Sequence, residues 1–323
     1  MTSVLVTGGA GYIGSHTCMA LAANGMTPIV FDNLFRGHAD FVRWGPLIVG
    51  DILDQAALND TFARYRPDAV IHFAALAYVG ESFSNPMTYY KNNVSGLVNI
   101  IEAMVKNGTQ NIILSSSCTI YGIPDTVPIP ENAPQRPISP YGRSKLFCEQ
   151  ILKDAAASND LNFVIFRYFN ASGADASGDL SERHDPETHL VPLAIDAATN
   201  EGPALPIFGS DYATTDGTCE RDFIHVSDLA SAHVEAISYL SKNANIALNL
   251  GTGRAHSVLQ VVSAVERVTG RPVPLTWGPR RPGDPPILFS DPTLAQRLLR
   301  FRPKYSDLET IIETAWRSRR GQG

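Results

Sequence analysis

A chain of 323 residues, 44% hydrophobic and 18% charged, is long enough for two domains or one large one and has ample apolar side chain for packed cores. Its formal net charge of -6 argues against general affinity for nucleic acid or an anionic membrane. With no apolar stretch approaching about 18 residues and a strand-like run starting at Ser3, neither a membrane span nor a signal peptide is expected, and the chain reads as cytoplasmic.

In chain order, Val4 to Thr7 reads as a first buried strand. Thr7-Gly8-Gly9-Ala10-Gly11-Tyr12-Ile13-Gly14 turns from it into a helix over Tyr12 to Asn24, which stops at Asn24-Gly25. Gly8, Gly11 and Gly14 stand where backbone must approach a pyrophosphate and a helix N-terminus can face it. A second strand, Pro28 to Phe31, ends at Asp32, where a carboxylate can accept hydrogen bonds from both hydroxyls of an adenosine ribose. That acid repels a 2′-phosphate, so NAD is expected over NADP; nearby Arg36 is a group that a 2′-phosphate would attract. The third strand, Leu47 to Val49, leads into Gly50-Asp51-Ile52, which fits an adenine contact. After a helix over Gln55 to Arg64, the fourth strand, Ala69 to Phe73, runs into Ala74 and Ala75, whose small side chains let backbone near a cofactor. Each turn is weak evidence by itself. Their shared place at strand C-terminal ends carries weight, because open parallel sheets bind ligands there.

A helix over Met87 to Lys106 precedes a fifth strand, Asn111 to Ser115, which opens into Ser115-Ser116-Ser117. Tyr141-Gly142-Arg143-Ser144-Lys145 begins a helix reaching Ala157, and the four-residue spacing puts the Tyr141 hydroxyl and Lys145 ammonium on one face. A tyrosine with an ordinary pKa of about 10 needs a neighbouring cation to act as a base at neutral pH. The pair and the glycine turn together describe hydride chemistry with a tyrosine base. Phe163 to Phe166 is the sixth strand. The alternation predicts an α/β fold with a Rossmann-type, doubly wound parallel sheet.

Beyond about Phe169 the texture changes to Gly, Pro, Ser and Asp between short elements, as in Ser172 to Pro186 and Arg280 to Pro286. The expected division is therefore an NAD-binding domain over 1–170 and a smaller, loop-rich C-terminal substrate domain over 171–323. A strand at Ile246 to Leu250 can return to the first sheet. Cys18, Cys118, Cys148 and Cys219 are scattered, with no Cys-x-x-Cys spacing and no paired histidines; buried free thiols are expected, and no metal site. The basic tail Arg317, Arg319 and Arg320 reads as solvated.

Gly8 to Gly14, Asp32-Asn33-Leu34, Ser115-Ser116-Ser117, Tyr141 to Lys145 and Arg167-Tyr168-Phe169-Asn170, in this order, resemble the extended short-chain dehydrogenases/reductases. Phe208-Gly209-Ser210-Asp211-Tyr212, Asp216-Gly217-Thr218, Arg221-Asp222-Phe223-Ile224-His225-Val226 and Arg281-Pro282-Gly283-Asp284 narrow the resemblance to their UDP-glucose (UDP-galactose) 4-epimerase branch. The resemblance implies an isomerase that holds NAD through many turnovers and acts on a UDP-sugar. Tyr141 would remove the O4 proton while NAD takes the C4 hydride, with Ser117 between tyrosine and sugar and Lys145 on the nicotinamide ribose. The 4-keto sugar would rotate and be reduced on its other face. By the same resemblance Tyr12, Ile13, Asn33, Asp51, Ile52, Phe73, Ala74, Ala75, Asn92, Tyr168 and Phe169 contact the cofactor. Arg221 and Arg281 meet the diphosphate, Asp284 the uridine ribose, and Asn170, His189, Leu190, Phe208, Phe223 and Val258 surround the UDP. A homodimer through the helices at Met87 to Lys106 and Tyr141 to Ala157 is also implied.

Three departures set further expectations. Ala77 stands where many members carry a lysine at the cofactor phosphates, which loosens NAD retention. His189 replaces a common asparagine and makes UDP binding pH-sensitive. Leu288 replaces a bulky tyrosine and is expected to admit N-acetylated UDP-hexosamines; UDP-xylose and UDP-arabinose are alternative substrates. A 4,6-dehydratase would need an acid–base pair where Cys118-Thr119 stands. A non-catalytic NAD or UDP-sugar sensor is disfavoured by the complete Ser117, Tyr141 and Lys145 set.

Overall fold

The computed structural model describes residues 2–240, 245–281 and 284–320, so Pro282 and Gly283 of the Arg281 to Asp284 motif lie outside the described residues. Strand and helix alternate through the first half. β1 (Ser3–Thr7), α1 (Tyr12–Ala23), β2 (Thr27–Asp32), β3 (Leu47–Val49), α2 (Gln55–Tyr65) and β4 (Ala69–His72) follow one another. α3 (Val79–Ser84) comes next, then α4 (Pro86–Tyr89), which continues through a π-helical segment at Tyr90–Ser95 into α5 (Gly96–Asn107). β5 (Asn111–Ser117), a 3-10 turn at Cys118–Tyr121, α6 (Pro140–Asn159) and β6 (Asn162–Tyr168) complete this half. The second half holds β7 (Asn170–Ser172), α7 (Leu190–Thr199), β8 (Leu205–Phe208), β9 (Glu220–Arg221), β10 (Phe223–His225), α8 (Val226–Leu240) and β11 (Ile246–Leu250). β12 (His256–Ser257), α9 (Val258–Thr269), β13 (Leu275–Gly278), β14 (Ile287–Leu288), α10 (Thr293–Leu298) and α11 (Leu308–Arg320) end it.

Among the described residues the main sheet has seven strands in the order β11-β6-β5-β4-β1-β2-β3, every neighbouring pair parallel. Strands buried on both faces need no polar side, which is why these runs are nearly all apolar. Their side chains alternate between two cores. Val4, Val6, Ile71, Ile113 and Val164 meet α1 and α8 on one face. Leu5, Val70, Ile112 and Ile165 meet α2, α5 and α6 on the other. The strand at Ile246–Leu250 does return to this sheet, pairing with β6, and α8 from the second half covers part of one face. A separate core joins α7, α9 and α11 to β8. No helix among the described residues is long and apolar enough to cross a membrane.

Strand order reverses between β1 and β4, so the chain leaves these neighbours in opposite directions and opens a crevice at their C-terminal ends. Beside it, β6 is locked to α6 by a buried ion pair. Arg167 Nε donates to Glu149 Oε1 at 3.0 Å and Nη2 to Oε2 at 2.7 Å, while Nη1 reaches Tyr121 Oη at 2.8 Å. Ser116 Oγ donates to the same carboxylate at 2.6 Å, which ties down the end of β5 next to Ser117.

Candidate active site

The crevice is one end of a continuous cavity of about 560 Å³ that runs from the glycine turn to Arg281 and Asp284. Gly8 has φ +72°, and a Cβ there would lie 2.6 Å from Ala74 N. A Cβ on Gly14 would collide with the Gly8 carbonyl oxygen. α1 starts at Gly11 with no capping side-chain hydrogen bond, so its first N–H groups are left for an anion at the cavity edge. Gly14→Ala is therefore expected to open the turn and strip the protein of bound NAD, read as NAD released on denaturing the purified variant.

Asp32 sits at the end of β2, 7% exposed. Its Oδ2 accepts from Ala10 N at 3.0 Å and its Oδ1 from Leu34 N at 2.8 Å, which fixes the carboxylate while leaving lone pairs for ribose hydroxyls. Burial raises its pKa and those two N–H groups oppose the rise. Arg36 is committed elsewhere: it stacks 3.9 Å from the Tyr78 ring centre and bonds Glu81 Oε2 and the Asp185 carbonyl. It offers no free cation beside Asp32, and the fit is to the unphosphorylated ribose. Asn33 and Ile52 line the cavity, whereas Asp51 does not; its carboxylate accepts from Asn33 Nδ2 at 3.0 Å and so orients a lining residue from behind. Tyr12, Ile13, Phe73, Ala74, Ala75, Asn92, Tyr168 and Phe169 all face the cavity.

α6 begins where it does because Ser139 Oγ accepts from Gly142 N at 3.0 Å and Pro140 occupies the first turn. That start puts Tyr141 over the end of β5, hydrogen-bonded to Ser117. Ser117 Oγ also accepts from Thr119 N and Oγ1, at 3.2 and 3.0 Å, and is thereby held in place. Lys145 is anchored on the backbone of β5. Its Nζ donates to Ser115 O at 2.8 Å and lies 5.9 Å from the Tyr141 ring centre. Burial dominates both groups, pushing Tyr141 up to about 12 against the Ser117 hydrogen bond and bringing Lys145 down. Each pKa unit recovered toward neutrality needs about 1.4 kcal/mol of positive potential at the phenolate.

At the far end Arg281 stacks on Phe208 with its guanidinium 4.1 Å from the ring centre, and Arg221 is paired with Asp284. Asn170, Leu190, Phe223 and Val258 complete this wall. Leu288 does not. It is 7% exposed and packs in a satellite core with Cys118 and Phe169, two residues that do line the cavity.

The segment from Glu182 to His189 crosses the cavity between these ends, and sequence reasoning took only His189 from it. Glu182 and His184 line the cavity, and Tyr78 Oη donates to Pro186 O at 3.1 Å. His189 Nδ1 lies 3.0 Å from Glu182 and 2.8 Å from Glu187. The density of imidazole and carboxylate in Glu182-Arg183-His184-Asp185-Pro186-Glu187-Thr188-His189 was the available signal. Glu182, His184 and His189 bring one ligand atom each within 4.8 Å of one another, but a cation would have to displace the proton that the carboxylates hold on His189. The two carboxylates outweigh burial and raise His189 to about 10, while the histidines hold Glu182 down at about 2.

These shifts have opposite pH windows. The His189 contribution to stability is complete below its unfolded pKa of about 6.5 and fades as pH rises through about 10. The Glu182 contribution is present above about 4.5 and is lost as pH falls toward about 2. His189 is 43% exposed, so water screens part of the attraction. His189→Asn is expected to flatten the decline in melting temperature between pH 7 and pH 10, measured against the parent in the same buffers.

The model of the NAD dependent epimerase/dehydratase family matches residues 4–251. A UDP-glucose 4-epimerase of Rhizobium meliloti (strain 1021) is 49% identical over 324 residues, 99% of this chain and 98% of its own. The crystal structure of UDP-glucose 4-epimerase from Brucella ovis in complex with NAD superposes with a TM-score of 0.96 at 53% identity, covering 98% of both chains. That of the Stenotrophomonas maltophila UDP-glucose-4-epimerase, with NAD and formylated UDP-arabinopyranose bound, gives 0.96 at 40% identity, over 100% of this chain and 99% of its own. With likeness of this depth running from end to end, the chain belongs to the NAD dependent epimerase/dehydratase family.

Proposed function

We propose that the protein is a UDP-glucose 4-epimerase, interconverting UDP-galactose and UDP-glucose with NAD as a resident cofactor. The observation that carries this reading is the placement of Tyr141 and Ser117 midway along one cavity, between the glycine turn and the Phe208, Arg221 and Arg281 wall. When bound, NAD supplies reversible acceptance and return of a hydride at sugar C4. The glycine turn, the uncapped start of α1 and Asp32 hold its pyrophosphate and adenosine ribose. Tyr141 takes the O4 proton and later gives it back, and Ser117 links the phenol to the sugar oxygen. Lys145, anchored on Ser115 O, is placed to hold the nicotinamide ribose.

An epimerase must grip the nucleotide and leave the sugar free to turn. Charged and aromatic anchors stand at the nucleotide end, where arginine forks match phosphate oxygens. Arg221 and Asp284 satisfy each other in the absence of substrate contacts and would exchange that pairing for diphosphate and uridine ribose. On this reading residues 1–170, completed by α8 and β11, serve the cofactor, and the remaining elements serve UDP. A homodimer through α5 and α6 is supported by the exposed Phe83, Met87, Val105 and Phe147 on or beside that face. A cytoplasmic location is supported by four cysteines that are all free.

Incubating the purified protein with UDP-galactose, adding no NAD, is expected to yield UDP-glucose by NMR. Parallel tubes with UDP-xylose and UDP-N-acetylglucosamine assign the preferred sugar. No product with any of them, with or without added NAD, would overturn the proposal.

A further inference from the structure

Four tyrosines, Tyr12, Tyr78, Tyr141 and Tyr168, line the cavity, and the reaction needs one phenolic proton carrier. Two are committed as donors to backbone carbonyls: Tyr12 Oη to Gly173 O at 2.5 Å, and Tyr78 Oη to Pro186 O at 3.1 Å. Tyr168 is the closest rival to Tyr141. It ends β6 directly across from Ser117 in the β5–β6 ladder, and its Oη lies 2.6 Å from Nε2 of His233 on α8.

The proton on that contact can be located from the other side of the imidazole. His233 Nδ1 is 2.8 Å from Leu229 O, one helical turn earlier, and a carbonyl oxygen can only accept. Nδ1 therefore carries a hydrogen. His233 is fully buried, between the rings of Phe73 and Phe166 at 4.9 Å from each, and no carboxylate bonds to it. Burial brings its pKa down to about 4, which keeps the ring neutral. A neutral ring with hydrogen on Nδ1 has a bare Nε2, so the bond from Tyr168 runs one way, phenol to imidazole.

We infer that His233, held as its Nδ1–H tautomer, takes the Tyr168 phenolic proton in a hydrogen bond and so makes Tyr168 an acceptor-only hook at the nicotinamide end of the cavity. Tyr141 is left as the phenol whose proton is free to move. With its proton given to His233, the Tyr168 oxygen keeps acceptor capacity toward the cavity it lines, suited to a carboxamide N–H donor. His233 touches neither cofactor nor sugar; it is a positioning residue. The carboxamide assignment rests on the cofactor reading above, whereas the direction of the Tyr168–His233 bond rests on the contacts and burial of His233.

Nitrogen-15 NMR of the wild-type holoenzyme reads the tautomer directly: the expected His233 spectrum has hydrogen on Nδ1 and an acceptor Nε2. Hydrogen on Nε2 would overturn the inference whatever the enzyme's activity. His233→Phe is expected to release NAD about five- to tenfold faster, the worth of one neutral hydrogen bond. His233→Gln, whose amide oxygen can accept, should restore part of that retention. Adding His233→Phe to Tyr168→Phe should change NAD release no further. A full additional effect would show that His233 acts through something other than Tyr168 and would also overturn the inference. Absence of epimerase activity in wild type would count against the proposed function and leave the tautomer measurement decisive for this one.

Discussion

Tyr141→Phe is expected to cut turnover by about 10²- to 10⁴-fold while the purified variant keeps its NAD, because it removes a proton carrier and leaves the cofactor contacts in place. The phenol is buried, hydrogen-bonded to Ser117, and held near 12 by desolvation in the protein matrix. Such a group becomes a usable base only when positive charge arrives beside it. Lys145 spends one of its three N–H donors on Ser115 O, and burial brings its own pKa down. An oxidised nicotinamide ring, when bound, would add positive charge beside the phenol and so couple the basicity of Tyr141 to the state of the cofactor. The kinetic constants and the NAD content of Tyr141→Phe check this together. Near-normal turnover would mean that another group carries the proton.

Glu149→Gln is expected to lower stability by about 3–5 kcal/mol, the usual result of leaving a buried charge without its counter-ion. Arg167 is 2% exposed and Glu149 0%. Glutamine preserves the shape but replaces one acceptor oxygen with an NH2 donor, so the loss combines the missing charge with a lost hydrogen bond to Arg167. Arg167→Met should cost less, since Lys153 Nζ lies 3.6 Å from the Glu149 carboxylate and is itself half-exposed, able to retain it as a partner. Urea unfolding of both variants measures the difference. Equal small losses would show that the pair is replaceable and that Tyr121 and Ser116 hold this corner by themselves.

Much of the fold was legible because apolar runs with period-two and helical spacing are local signals. The glycine turn, the six early strands and the strand at Ile246–Leu250 all left such marks. The π-helical segment at Tyr90–Ser95 left none, since one extra residue in a turn does not disturb the apolar face enough to read. Its consequence is chemical. Asn93 sits in that segment, buried, bonding Leu76 through both amide atoms and Ser144 through Nδ2, which ties the loop after β4 to the helix that carries Tyr141.

The site was legible in residue type and partly illegible in geometry. Four-residue spacing correctly put Tyr141 and Lys145 on one helix, yet the sequence had no means of saying that Ser115 O would claim the ammonium. The size of Leu288 suggested a wider sugar pocket, but the sequence could not show that the side chain packs with Cys118 and Phe169 at the cavity wall. Glu182, His184 and Glu187 belong to a loop, where no periodicity marks which side chains face inward. Their pairing with His189 is a product of chain path.

The central claim is that C4 is oxidised and reduced again within one cavity, with nothing lost to solvent. UDP-galactose deuterated at C4, turned over by the purified protein with no NAD added, tests it most directly. Retention of the deuterium at C4 of the UDP-glucose formed is the predicted result; product carrying solvent hydrogen at C4 would contradict the account.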